Sequence, residues 1–176
     1  MAKQSKKNVH KLVARLGPYW KMEASAVILI PATMALITKA NLGWATIISS
    51  LPMMLMLGIG ALYWRGKLLR LVRSDYDFAS LIHAIARIRT PVQILTLIAI
   101  ISTAFAWIIP GFAVGQPDKI CATIAAVLAV LEYINYYHRQ LQHFDNVADF
   151  QRLLTGKGFR QSQMARDIRA ISFNRK

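Results

Sequence analysis

The sequence predicts an all-α integral membrane protein: four transmembrane helices, both termini in the cytoplasm, and short amphipathic helices on the cytoplasmic face. Three observations predict it. The chain is 55% hydrophobic and only 17% charged, and its apolar residues are gathered into four long blocks with basic residues between them. None of the blocks alternates with the period of two that marks a strand, and a chain of 176 residues has too few polar side chains to cover four such helices in water. Finally, of the 22 Lys and Arg residues, all but Lys39 and Lys119 lie in the N-terminal segment, the middle loop or the tail. The basic charge therefore alternates at every crossing, and the positive-inside rule places those three segments in the cytoplasm.

Taken in order, residues 1–19 form a basic amphipathic segment. Val9, Leu12, Val13 and Leu16 share one face, with Lys7, Lys11 and Arg15 on another. That is the spacing of a helix resting in the membrane interface. Anionic headgroups attract such a surface by about 1 kcal/mol per basic residue, so lipid, rather than nucleic acid, is the expected partner. The first span covers residues 20–38, with Tyr19 and Trp20 as interfacial anchors. A second span follows at once and no small-residue cleavage site precedes it, so a retained helix is expected rather than a signal peptide.

Lys39-Ala40-Asn41 makes the turn into the second span, residues 42–64, whose helix is predicted to run on to about Val72. The middle loop, residues 65–90, then starts a new helix capped by Asp77 or Ser74, with Phe78, Leu81, Ile82 and Ile85 as its apolar stripe. Arg70, Arg73 and Arg87 join Lys7, Lys11 and Arg15 as candidate lipid or partner contacts. The third span, residues 91–109, is expected to start with Thr90 as N-cap and Pro91 at the first helical position, and to stop at Pro110-Gly111. A Pro- and Gly-rich connector, PGFAVGQPDK, leads to the fourth span, residues 119–138. In the tail, residues 139–176, Asn146 and Asp149 fit a cap for a helix over 147–154 that Gly156 would end. A further helix is predicted at about 162–171, with Met164, Ile168 and Ile171 inward and Arg166 and Arg169 exposed.

The two halves are loosely alike, but Tyr63-Trp64-Arg65 and Tyr137-His138-Arg139 are generic interface chemistry. Pro31 and Pro52 are read as packing kinks and Met53, Met54 and Met56 as adaptable packing. Small residues four apart, Ala45/Ser49, Ala99/Thr103 and Ala122/Ala126, permit close helix contact.

The stretch richest in chemistry is LEYINYYHRQLQHF, residues 131–144. Glu132 is the one charge in the fourth block. An ionised carboxylate at depth is costly; a proton, a partner such as Arg65 or Arg139, or hydrogen bonds to Tyr or Asn would each relieve that cost. If the helix continues, Glu132, Tyr136, Arg139 and His143 share one face and Asn135, His138 and Gln142 the next, giving a polar stripe toward protein or water. Tyr133, Tyr136 and Tyr137 read mainly as interface aromatics.

Metal and haem chemistry find little support. His138 and His143 point about 140° apart on a regular helix, and Cys121 is the single cysteine. No nucleophile elbow or phosphate loop is present. No catalytic residue, metal ligand or cofactor is therefore assigned. The expected function is that of a non-enzymatic membrane subunit or accessory protein, assembling with itself or a larger membrane partner. A small proton-coupled transporter or channel using Glu132 is the alternative, with a haem or metal redox protein more remote.

Overall fold

A computed structural model describes residues 2–141, 155 and 158–173, with 2–11 and 172–173 described by backbone alone. Among the described residues there are six helices: α1 (Ala2–Ile37), α2 (Trp44–Val72), α3 (Phe78–Arg87), α4 (Arg89–Ile108), α5 (Gln116–Tyr137) and α6 (Gln163–Phe173). Four of these are long and apolar enough to cross a bilayer, over Leu12–Ile37, Trp44–Val72, Arg89–Ile108 and Gln116–Tyr137. α2 is the central element, packed against α1, α4 and α5. Its 29 residues rise roughly 1.5 Å each. They exceed a hydrocarbon core of about 30 Å, so one end of α2 projects beyond it.

The packing is the inverse of a soluble protein's. Large apolar side chains point outward, among them Ile28, Leu36, Leu62, Ile94, Ile101 and Ile108, while Ala45, Ser49, Ala99, Ser102, Ala106, Ala122, Ala125 and Ala129 are buried. Lipid is as apolar as leucine, so helices in a bilayer gain from close approach of small residues and from interhelical hydrogen bonds. The pairs noted at spacing four do this here. Ser49 Oγ lies 3.0 Å from Thr103 Oγ1, Thr103 Oγ1 donates to the Ala122 carbonyl at 3.3 Å, and Ala45, Ala106 and Ala122 form one buried cluster. Met53 and Met56 are buried core residues.

One expectation about helix limits needs correction. α4 begins at Arg89 with Ile88 as its N-cap, so Thr90 is not the cap and Pro91 is the third helical residue. The first-turn amides lack intrahelical acceptors in any case, so proline forfeits no helical bond at this third position, two later than expected. Ile88 alone separates α3 from α4, making a corner rather than a loop. α1 is helical without interruption across Gly17 and Pro18, so the basic segment and the first span share one helix. α2 does run to Val72, and Asp77 does cap α3, accepting from the Ser80 amide at 3.1 Å. Residues 147–154 lie outside the described residues.

The bundle has two unlike ends. At the hairpin end are the turns Thr38–Gly43 and Ile109–Gly115. Lys39 and Ala40 are left-handed there, with φ of 52° and 61°, and the Ala40 amide closes α1 by donating to the Ala35 carbonyl at 2.7 Å. At the basic end are the start of α1, the ends of α2 and α5, α3, the start of α4, and α6.

Candidate functional site

Each end is organised by a buried carboxylate, and neither carboxylate was singled out from the sequence. At the hairpin end Asp118, 2% exposed, stands in the first turn of α5 and reaches the first turn of α2. Its Oδ1 accepts from the Thr46 amide at 3.2 Å and from Thr46 Oγ1 at 2.6 Å. Its Oδ2 accepts from the Val114 amide at 3.1 Å. Thr46 is the third residue of α2, so Asp118 serves that helix as an N-cap supplied from another helix. Gly43 is required beside it, because a Cβ there would overlap the carboxylate.

Toward the basic end Glu23 of α1, 5% exposed, accepts from the Tyr136 hydroxyl at 2.5 Å through Oε1. Its other oxygen, Oε2, is buried without a hydrogen-bond partner among the described residues. Gly60 of α2 makes room for this contact, since a Cβ at that position would run into the Tyr136 hydroxyl. Glu132 lies one turn back along α5 from Tyr136. It accepts from Asn135 Nδ2 at 3.4 Å, and among the described residues no cation pairs with it. Hydrogen bonding relieves its charge, and neither Arg65 nor Arg139 pairs with it. Arg65 lies over the Trp20 ring at 5.6 Å, and Arg139 Nη1 donates to the Phe159 carbonyl at 2.9 Å.

The predicted polar stripe is thus partly assembled. Glu132, Asn135 and Tyr136 stand together, and Asn135 Oδ1 also accepts the Leu141 amide at 2.9 Å. The tyrosines face protein more than an interface: Tyr136 and Tyr137 are buried, the latter donating to the Ile85 carbonyl at 3.1 Å. His138 and Arg139 do not continue the stripe. α5 ends at Tyr137, and His138, at φ −129° and ψ −74°, turns the chain away. The Gln140 amide then donates to the Arg160 carbonyl at 2.8 Å and the Ser162 amide to the His138 carbonyl at 3.2 Å. His143 lies outside the described residues.

This antiparallel bridge delivers α6 to the bundle. Ser162 Oγ donates to the Tyr136 carbonyl and accepts the Ala165 amide at 3.0 Å, so it caps α6 while fastening it to α5. Asp167 accepts from Tyr63 at 2.7 Å and pairs with Lys67 at 3.0 Å. Met164 is buried among Tyr63, Phe78, Ile82 and Tyr137. Arg166 and Arg169 stay exposed, as do Arg15, Arg70, Arg73 and Arg87. Lys7 and Lys11 fall where only backbone is described.

His138 contacts Arg89 at 3.5 Å and packs against the Tyr133 ring at 5.5 Å. Partial burial, then the adjacent guanidinium, hold its imidazole below the ordinary range. Asp77 is also held low, by its bonds to Ser80.

Four apolar spans and an interior of small and hydroxylated residues define a multi-pass all-α membrane protein. No family model, curated protein or solved structure matches the chain, so the class rests on the architecture itself.

Proposed function

We propose that the chain is a non-enzymatic subunit or accessory protein of a bacterial inner membrane. Its termini and residues 65–90 would face the cytoplasm, and it would assemble with itself or with a larger membrane partner through the exit of α5 and the short helices beside it. The observation that supports this most is the platform at the basic end. A cap, an ion pair and a buried methionine fix α6 to α2, α3 and α5, and its arginines are left exposed. A short helix costs conformational entropy to order, and holding one rigidly on a bundle end suits a surface that another protein reads. Anionic lipid headgroups would flank it, at Arg15, Arg70, Arg73 and Arg87.

The test is purification in mild detergent with mass measurement and identification of co-purifying proteins. A stable complex larger than one copy is expected; a lone monomer with no companion would overturn the proposal. Orientation is checked with single cysteines at Lys39, Lys119 and Ser74. The native Cys121 is buried and contributes little background. Labelling from outside the cell at Lys39 and Lys119, but not at Ser74, is expected.

Glu23 favours a second reading, a proton-coupled transporter or channel. A buried carboxylate with one oxygen unpartnered is better suited to gaining and losing a proton than a fully satisfied one. On this reading Glu23 and Glu132 would act together through Tyr136. Proton flux into liposomes that is unchanged by Glu23→Gln and Glu132→Gln would remove both from any such mechanism.

A further inference from the structure

Where α5 ends, the chain leaves a cavity of about 480 Å³ between α5, the start of α4 and α6. Ligand sites commonly run from roughly 300 to 1,000 Å³. Arg89, Arg139 and Arg169 line it together with His138, over Tyr137 and Ile168. The described lining contains no carboxylate. Asp167, the acid nearest in sequence on α6, is engaged with Tyr63 and Lys67 instead.

Three guanidinium groups lining one concavity make its field positive, which an anion would offset. Two of the three are already positioned. Arg89 lies over the Tyr137 ring at 5.8 Å, and Arg139 is held through the Phe159 carbonyl at 2.9 Å. Arg89 is also the first residue of α4, so the partial positive charge of that helix start adds to the field. Guanidinium forks match the oxygens of phosphate in a way a lone ammonium does not.

We propose that this pocket binds a phosphate-bearing anion, held by Arg89, Arg139 and Arg169, with Tyr137 and Ile168 forming an apolar floor. The phosphate is either the headgroup of an anionic phospholipid entering from the bilayer or a soluble phosphate compound. The site does not include Arg70, Arg73 or Arg87, which do not line the cavity.

The experiment uses the full chain in a non-ionic sugar detergent and follows thermal unfolding by tryptophan fluorescence. One arm adds inorganic pyrophosphate at constant ionic strength; the other adds phosphatidylglycerol. We expect a saturable rise in the unfolding midpoint in at least one arm. Each of Arg89→Gln and Arg169→Gln should weaken binding by about tenfold, the loss of one charge-assisted hydrogen bond, while Lys39→Gln, at the hairpin end, leaves it unchanged. A response to phosphatidylglycerol alone identifies lipid as the source, and a response to pyrophosphate a soluble ligand. Protection of Arg89 and Arg169 from phenylglyoxal in the wild-type chain, read by mass spectrometry, gives an answer that does not depend on folding of the variants. No midpoint rise and no protection in either arm would overturn the proposal. So would a response retained in full by the Arg89→Gln, Arg169→Gln double variant.

Discussion

The two ends of the bundle each bury a carboxylate, and the two differ in how fully they are hydrogen-bonded. Asp118 uses both oxygens and meets three donors on two elements; Glu23 uses one oxygen and leaves the other bare. A buried carboxylate with donors at both of its oxygens is a fastener. One with a bare oxygen is less fully compensated, because a buried polar atom without a partner costs free energy. The hairpin end therefore reads as the clamp of the fold, and the Glu23–Tyr136 pair as its less fully satisfied counterpart.

The largest effect should come from breaking the clamp. Asp118→Ala strands the Thr46 and Val114 amides, at about 1–3 kcal/mol for each buried donor left unmet. The thermal midpoint should fall by roughly 2–4 °C per kcal/mol for a chain of this size, with loss of helix at the α2 and α5 starts seen by hydrogen exchange. Next is Gly60→Val, which drives a side chain into the Tyr136 hydroxyl and separates it from Glu23. Overpacking of this kind costs about 1–3 kcal/mol, read as a lower midpoint in the same assay. Ser162→Ala removes the cap of α6 and its bond to Tyr136, for about 1 kcal/mol. Its signature should be proteolysis near α6 with the four spans intact.

The smallest effect is at His138. Its folded-state pKa is depressed, so the neutral imidazole contributes stability above the unfolded value of roughly 6.5, and that contribution is lost as pH falls through the folded value. An NMR titration should place His138 below an ordinary histidine. Arg89→Gln should move it part of the way back up, because partial burial, the larger cause, remains.

What could be read from the sequence was what is local. The reach of α2 to Val72, the Asp77 cap, the apolar stripe of α3 and the face of α6 all depend on residues within a turn or two of each other. The small residues at spacing four marked the α2, α4 and α5 contacts for the same reason. Glu23 and Asp118 escaped notice because each sits at the edge of an apolar block, where a charge reads as a boundary. Their partners are distant in sequence, 113 residues away for Tyr136 and 72 for Thr46. The glycines that admit them, Gly60 and Gly43, carry no sign of what they face. The expected limit of the fourth span at 138 falls within one residue of the stop at Tyr137, but no Gly or Pro marks the turn of the chain that follows. Pairing with residues 160–162 turns the chain there, and only the tertiary fold brings those residues near.

The clamp and the half-satisfied site are told apart most directly by two near-isosteric changes measured side by side. Asn at 118 offers one acceptor where the site needs two, and turns a donor toward a backbone amide. Gln at 23 still accepts from Tyr136 and carries no charge to bury. In one unfolding series at neutral pH, Asp118→Asn should lower the midpoint by several degrees while Glu23→Gln moves it by no more than about 2 °C. A larger loss from Glu23→Gln than from Asp118→Asn would contradict the account.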